Sequence, residues 1–265
     1  MKEINKAMIF ESHAHYDDEA FDTDRDELLS AMTEKGVSHI INAASSVKSL
    51  GDIEAMMEKY SFVYGTAGIH PDDVGDLNEE IYGRLEKLCK LEKIVAVGET
   101  GLDYYWDKES HSIQKKWFER QIELARKEEL PLIIHSRDAA AETLDMAKAL
   151  KIGEIGGEVH CFSYGTEMAR EYLNMGFYLG VGGVVTFKNA KKLKEVVEYA
   201  PLENILLETD CPYLAPVPYR GKRNTSLLIS HIAEEIARIK KMSTEEVLST
   251  TRANAMKLFN LATEN

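Results

Sequence analysis

The chain has 265 residues, of which 44% are hydrophobic and 29% charged, which indicates a globular protein with one large core or two small ones. Its net charge of −13 opposes broad electrostatic attraction to nucleic acid, so any polyanion would need local positive charge. No apolar segment is long enough to span a bilayer, and residues 1–7 lack the apolar run of a signal peptide. Three scattered cysteines, Cys89, Cys161 and Cys211, fit a reducing compartment, so we expect a cytoplasmic protein.

Short apolar runs alternate with segments of helical periodicity along the chain. Eight runs predict strands, at residues 7–10, 39–43, 62–69, 94–97, 132–134, 157–159, 177–181 and 205–207. Their nearly continuous apolar character is typical of parallel strands covered on both faces. Eight strand-helix units of this length predict an α/β fold, a TIM (β/α)₈ barrel, in a single domain spanning residues 1–265. An open doubly wound sheet is the alternative, but no Gly-rich phosphate loop follows the first strand.

Capping residues mark several helix ends. Asp24 can cap a helix that runs to residue 35 and stops at Gly36, and Ser243 with Glu246 makes a capping box for a later helix. The longest predicted helix covers residues 109–129. Its apolar stripe indicates core packing rather than a cofactor site, and comprises Ile113, Trp117, Phe118, Ile122 and Ala125.

Two histidines separated by one residue, His13 and His15, follow the first apolar run. Alternate side chains of a strand share a face, so the two imidazoles can bind one metal ion. Two solvated histidines at a strand end are the alternative.

Functional residues of TIM barrels gather at the C-terminal ends of the strands. Five of the eight histidines are predicted there, together with two carboxylates: His13, His15, His70, His135, His160, Glu99 and Asp210. His39, His111 and His231 are not. Taken singly, His135 and His160 also fit core histidines, and Asp210 fits a turn cap.

Imidazoles mixed with carboxylates predict an open catalytic metal site, because closed structural sites more often use cysteines. A carboxylate has two oxygens, so Glu99 can bridge two ions. Glu208 shares the face of Asp210 and is a candidate hydrogen-bond acceptor for a ligand.

These motifs, in this order, resemble the TatD family of metal-dependent hydrolases, within the amidohydrolase-like barrels. The matching segments cover nearly the whole length: residues 13–15, 24–26, 68–71, 98–105, 135–138, 160–163, 208–214 and 220–224. The resemblance implies two divalent ions. One is held by His13, His15, Glu99 and Asp210, and the other by Glu99, His135 and His160. It also implies phosphodiester hydrolysis, commonly by a deoxyribonuclease.

The resemblance suggests roles for further residues. Two ions would bind the scissile phosphate and lower the pKa of a shared water. Asp210 is the candidate acceptor of the water proton as well as a ligand, and His70, outside the ligand set, is a candidate to orient a phosphate oxygen or leaving group. Three loop cations are candidate phosphate contacts: Arg137, Lys222 and Arg223. A solvated charge with no part in binding is an equally open interpretation of each. Three aromatic residues have two equally open interpretations, stacking against bases of the substrate or packing at the rim of the barrel: Tyr104, Tyr105 and Trp106.

Two positions depart from the family pattern. Glu11 stands where Asp is usual, which we expect to affect only the surroundings of the ligands. Thr225 and Ser226 follow Asn224 where Glu-Pro is usual, which alters the loop that borders the substrate.

The main alternative activity is that of an amidohydrolase that cleaves a C–N, ester or lactone bond. Such relatives commonly bridge their metals with a lysine where this chain has Glu99, which favours phosphodiesters. A barrel that only binds its ligand would be expected to lack metal ligands, and none of them is missing.

The predicted substrate is DNA, cleaved as by an exonuclease, with RNA and small phosphodiesters as alternatives. The mixed ligand set suits Mg, Mn, Zn or Ni. No membrane contact and no obligate protein partner are expected.

Overall fold

The computed structural model describes residues 9–106 and 109–261, and its eight parallel strands form a nearly closed barrel. The strands are β1 Ile9–Ala14, β2 Val37–Asn42, β3 Val63–Thr66, β4 Ile94–Asp103, β5 Leu132–Arg137, β6 Gly157–Val159, β7 Tyr178–Val181 and β8 Ile205–Leu207. They pair in chain order, and a parallel bridge between Ala14 and Cys211 joins β1 to the segment after β8. The predicted TIM barrel is confirmed. That residues 1–265 form one domain stays a prediction.

Helices connect the strands and cover the outside of the barrel. They are α1 Arg25–Ser30, α2 Val47–Lys59, α3 Glu79–Leu88, α4 His111–Glu128, α5 Ala140–Ala149, α6 Thr166–Asn174, α7 Lys191–Tyr199, α8 Ile229–Lys240 and α9 Thr244–Leu258. Within residues 9–106 and 109–261, none of the helices combines the length and apolar character needed to cross a membrane. All three cysteines are free.

Alternation along the strands creates two apolar layers. In β5, Leu132 and Ile134 join the large cluster between strands and helices, whereas Ile133 joins a smaller cluster inside the barrel. The end of α9 adds Met256 and Phe259 to the inner cluster. This end of the helix closes the N-terminal end of the barrel, so the opposite end is the one available for a site.

Three strands end later than their apolar residues predict: β1, β4 and β5, the last of which was predicted to end at residue 134 and ends at Arg137. β4 was predicted to end at residue 97, but its pairing with β5 continues as far as Asp103 opposite Arg137. β1 was predicted over residues 7–10 and extends to Ala14, whereas residues 7 and 8 lie outside the described part. Backbone pairing with a neighbouring strand therefore carries polar residues into the barrel wall.

The prediction that Asp24 caps α1 is wrong. Asp24 occupies the N-cap position, but its carboxylate makes no capping bond and instead accepts hydrogen bonds from Arg223 at 2.7 and 2.5 Å. α1 also ends at Ser30 rather than at residue 35. Asp24 pairs with Arg223 instead of capping the helix because a paired, charge-assisted hydrogen bond is stronger than a hydrogen bond to a backbone amide.

Two other helix predictions hold in part. The Ser243 hydroxyl accepts a hydrogen bond from the Glu246 backbone amide at 3.1 Å, as one half of a capping box. The long helix α4 begins at His111, and its predicted apolar stripe is buried except for Ile113, which is 38% exposed.

Candidate metal centre

A cavity of about 540 Å³ opens at the C-terminal end of the barrel. Most of the residues predicted for the site line it: His15, His70, Glu99, His135, Arg137, His160 and Asp210. His13 lies just below, fully buried, with its ring against this group. The other three histidines lie elsewhere, His39 between two aromatic rings, His111 at the start of α4 and His231 on α8.

Glu99 is the centre of the cluster, because its two oxygens face two different groups of side chains. Oε2 lies 3.3 Å from Nε2 of His13 and 3.6 Å from Nε2 of His15. Oε1 lies 2.7 Å from Nδ1 of His135 and 3.0 Å from Nε2 of His160. The carboxylate thus stands between two pairs of imidazoles.

Asp210 completes the first group. Its Oδ1 lies 3.3 Å from Nε2 of His15 and 4.0 Å from Nε2 of His13. The Asp210 backbone amide donates to the His13 carbonyl at 3.0 Å, which links the end of β8 to β1. Four imidazoles and two carboxylates therefore converge, a donor set that fits a divalent transition-metal ion.

In two histidines, a hydrogen-bond partner on the far side of the ring fixes which nitrogen carries the proton. Nδ1 of His15 contacts the carbonyl oxygen of Ala43 at 3.1 Å, so Nδ1 carries a proton and donates it. Nε2 of His135 contacts Oδ2 of Asp103 at 3.1 Å and likewise donates. In the neutral form of each ring, the opposite nitrogen, which faces Glu99, has the lone pair that a metal needs.

Burial and charge act against each other in this cluster. Burial raises the pKa of Glu99, but the neighbouring imidazoles of His160 and His13 outweigh it and hold the pKa well below its usual range. Burial lowers the pKa of His15, but the hydrogen bond to Asp210 and the charge on Glu99 raise it to about 9. The carboxylates are therefore ionised and demand positive charge beside them, as a metal site requires.

His70 takes part in a different way. Its Nδ1 accepts a hydrogen bond from the Asp72 backbone amide at 3.1 Å, so Nε2 carries the proton. Burial, followed by the neighbouring His135, lowers the pKa of His70 to about 3, so the ring is neutral. Nε2 lies 3.7 Å from Oε1 of Glu99. In this tautomer His70 offers a donor to the cavity and no lone pair to a metal.

Asp103 is a residue that the sequence analysis missed. It is fully buried, lines the cavity and accepts hydrogen bonds from His135 and from the backbone amides of Tyr105 and Trp106. Period-two alternation places it on the same face of β4 as Glu99. A prediction of β4 that extended past residue 97 would have found it.

The three predicted phosphate contacts lie in different surroundings. Arg137 lines the cavity with its guanidinium 3.9 Å from the centre of the Tyr105 ring. Lys222 and Arg223 line a neighbouring cavity of about 690 Å³, where Arg223 is paired with Asp24. Among these three, only Arg137 lines the cavity that the candidate metal ligands surround.

The two departures from the family pattern lie beside the cluster. The Glu11 carboxylate accepts hydrogen bonds from the backbone amide and hydroxyl of Thr209, and burial raises its pKa to about 8. Ser226 is buried, and its hydroxyl bonds that of Tyr16 at 2.8 Å. Glu11 therefore fastens β1 to the end of β8, and Ser226 ties the following loop to the same region.

Comparisons with known proteins agree with this architecture. The family model described as TatD related DNase matches residues 10–260. An uncharacterized metal-dependent hydrolase, YabD of Bacillus subtilis, is 44% identical over 254 residues, 96% of this chain and 100% of the relative. The 3'-5' ssDNA/RNA exonuclease TatD of Cronobacter sakazakii is 33% identical, over 90% and 93% of the two chains. The crystal structure of YJJV, a TatD homologue from Escherichia coli, superposes with a TM-score of 0.90 at 27% identity, covering 97% and 99%.

Proposed function

This chain belongs to the family of TatD-related DNases, and its relative YabD is named a metal-dependent hydrolase, so we propose that it hydrolyses phosphodiester bonds of DNA with two divalent ions. The observation that carries the proposal is the position of Glu99. One of its oxygens faces His13 and His15, which Asp210 also contacts, and the other faces His135 and His160. A carboxylate between two sets of nitrogen donors is suited to bridging two ions.

When bound, such ions supply a water of lowered pKa and stabilise the charge that develops on the phosphate. Mg, Mn, Zn and Ni all remain candidates, and the number of ions is part of the proposal. The residues of the chain supply the rest of the chemistry.

Asp210 lines the cavity and its side chain is 19% exposed, so it is placed to accept the proton of the attacking water. The water oxygen would bond to phosphorus while the phosphorus–oxygen bond to the leaving sugar oxygen breaks, and that oxygen would take up the proton that Asp210 accepted or one from solvent. Nε2–H of His70 donates a hydrogen bond to a phosphate oxygen or to the departing oxygen. Asp210, Glu99 and His70 are therefore the proposed catalytic residues.

The rim of the cavity favours a single strand over a duplex. Trp106 and Tyr213 line it and are 57% and 55% exposed, and such rings are platforms for unpaired bases. Arg137 lies beside Trp106 and is placed to contact a phosphate. A single-stranded DNA or RNA end, processed by an exonuclease as the name of the Cronobacter relative states for that protein, is the proposed substrate.

Metal analysis combined with hydrolysis assays tests the proposal. The wild-type protein, Glu99→Ala and the distant control Glu235→Gln are compared on labelled single-stranded DNA, duplex DNA, RNA and a small phosphodiester. We expect Glu99→Ala to abolish hydrolysis and to weaken the binding of both ions, because each loses a ligand, whereas the control keeps both. Full metal content with retained activity in Glu99→Ala would refute the bridging role.

The substrate assignment has its own decisive outcome. If the wild-type protein binds metal but cleaves no phosphodiester, while it turns over an amide, ester or lactone, the amidohydrolase alternative replaces the nuclease.

A further inference from the structure

Two of the four histidines in the cluster have no partner on their second ring nitrogen. His13 and His160 stack with ring centres 3.8 Å apart, and both turn Nε2 towards Glu99. Their Nδ1 atoms are buried and have no hydrogen-bond partner. His15 and His135 do have such partners, in the Ala43 carbonyl and Asp103.

Two buried carboxylates lie on this second side, inside the barrel. Glu158 and Glu208 are both 0% exposed. Oε2 of Glu208 lies 3.6 Å from Nδ1 of His160, while its Oε1 accepts from the Cys161 amide at 2.7 Å. A ring nitrogen of His13 and one oxygen of each carboxylate lie within 4.8 Å of one another. Neither oxygen of Glu158 has a hydrogen-bond partner.

The unpartnered atoms balance as donors and acceptors. Three oxygens are acceptors, two on Glu158 and Oε2 of Glu208. Three groups on β1 and after β6 can donate, namely the hydroxyl of Ser12 and Nδ1 of His13 and His160. The balance holds if both imidazoles carry their proton on Nδ1, because a buried acceptor that faces a lone pair stays unsatisfied. A protonated Glu158 would donate its O–H to the neighbouring Glu208 and still accept a hydrogen bond on its other oxygen. The Nδ1–H tautomer leaves the Nε2 lone pairs directed at Glu99.

We propose that Glu158 is a positioning residue of the metal centre, which together with Glu208 accepts the Nδ1–H hydrogen bonds of His13 and His160. These bonds fix the tautomer and the orientation of two ligand rings at once. The inference rests on the proposed metal site. Asp103 plays the same part for His135, so each half of the cluster has a carboxylate behind its imidazoles.

The charge of Glu158 does not decide this role. Burial, followed by the charge of Glu208, raises the pKa of Glu158 well above its usual range. A carboxyl group keeps an acceptor oxygen whether or not it is protonated. An uncharged amide at residue 158 should therefore serve nearly as well.

A third cation bound by His13, Glu158 and Glu208 is the competing explanation of the same atoms. It would take the Nδ1 lone pair of His13 and move the ring proton to Nε2, which faces Glu99. The first metal would then lose a ligand. Counting the ions bound per chain separates the two explanations.

The test compares Glu158→Leu, Glu158→Gln and the control Val159→Ala with the wild-type chain. Val159 is the neighbouring residue of β6, buried in the outer apolar layer, so its truncation tests the effect of a weakened fold alone. Metal-free protein is titrated with Mn²⁺ and with Zn²⁺ by calorimetry. Nitrogen-15 NMR of the histidine rings reports the tautomers, and thermal unfolding reports folding.

We expect Glu158→Leu to bind metal about 10- to 100-fold more weakly with unchanged stoichiometry, and to lose the Nδ1–H tautomer at His13 or His160. Glu158→Gln should restore most of the affinity, and Val159→Ala should keep it. Wild-type affinity in a folded Glu158→Leu variant would overturn the inference alone, as would the loss of one bound ion per chain in Glu158→Gln. A wild-type chain that binds no divalent ion would overturn the proposed metal site and this inference together.

Discussion

At His70, a single hydrogen bond separates the proposed role of a donor to the substrate from that of a metal ligand. It lies within reach of Glu99 and His135, and these three residues by themselves have the spacing of a metal site. The Asp72 amide occupies Nδ1 of His70, however, and so places the proton on the nitrogen that faces the cavity. The tautomer therefore supports a donor to the substrate and argues against a third imidazole ligand on that side.

His70→Ala should lower kcat about 100-fold or more, because it removes the donor to a phosphate or leaving oxygen. Metal content and metal affinity should stay at the wild-type values. The measurements are steady-state kinetics on a single-stranded oligonucleotide and metal analysis of the purified variant.

His231→Ala provides the matched control, since His231 lies on α8 beside Glu234, away from the cavity. Loss of one equivalent of metal from His70→Ala would identify His70 as a ligand and contradict its proposed role.

At the scale of the elements, the cluster of candidate ligands was predictable because each of them lies in the second half of a strand or just after it. Parallel strands in a barrel end at the same rim, so residues far apart in sequence, such as His13 and Asp210, meet there. The resemblance supplied the division into two ligand sets. One oxygen of Glu99 faces His13 and the other faces His160, which is the arrangement that this division needs, and the division itself stays a prediction.

The residues that could not be predicted from the sequence lie in the irregular parts of strands, as in the second half of β4. The apolar run of β4 stops before Gly98, but pairing continues because Gly101 lies directly against the backbone of His135. A Cβ at residue 101 would approach the His135 carbonyl oxygen to 1.9 Å. Such close contact between backbones is set by the neighbouring strand, so hydrophobic periodicity gave no indication of Asp103 beyond it.

Packing between helices offers a prediction independent of the site. Glu235 on α8 accepts hydrogen bonds from Arg238 on the same helix at 2.8 Å and from Lys194 on α7 at 2.7 Å. The Arg238 hydrogen bond is the largest cause that lowers the pKa of Glu235, from 4.5 to about 2. A group whose pKa is lowered on folding stabilises the folded state above its unfolded pKa and loses that contribution as the pH falls.

Glu235→Gln should therefore reduce the free energy of unfolding by about 1 kcal/mol or less at pH 7, because the ion pairs are partly exposed to solvent. The difference from wild type should shrink as the pH falls from about 4.5 towards 2. Urea denaturation at a series of pH values measures it. A difference that is constant, or that grows on acidification, would show that the ion pairs are not its origin.

On the scale of the whole molecule, negative charge surrounds the cavity. Five aspartates line it in addition to the cluster, namely Asp17, Asp18, Asp72, Asp73 and Asp103. Among the described residues of its lining, Arg137 is the one arginine or lysine. A chain of net charge −13 with such a cavity entrance offers a polyanion few cationic contacts. Its attraction to a polyanion would have to come from the proposed metal ions and this guanidinium.

The affinity for single-stranded DNA should consequently depend only weakly on monovalent salt. A protein that neutralises about one phosphate has a slope of about −0.7 in log affinity against log salt, so KM should rise only about threefold between 50 and 200 mM NaCl. Proteins with six to ten phosphate contacts lose about 10³- to 10⁵-fold over the same range. KM for a short oligonucleotide, measured at constant saturating divalent ion, tests this expectation.

Arg137→Gln identifies the residual attraction. It should raise KM at low salt and bring the slope close to zero, because it removes the one guanidinium in the described lining of the cavity. Lys222→Gln is the matched control: Lys222 lines the neighbouring cavity, so its loss should leave the slope unchanged unless the substrate extends there. The contrary result is a steep slope that Lys222→Gln reduces and Arg137→Gln does not. It would show that the nucleic-acid strand runs along the loop after β8 rather than along the aromatic rim at Trp106.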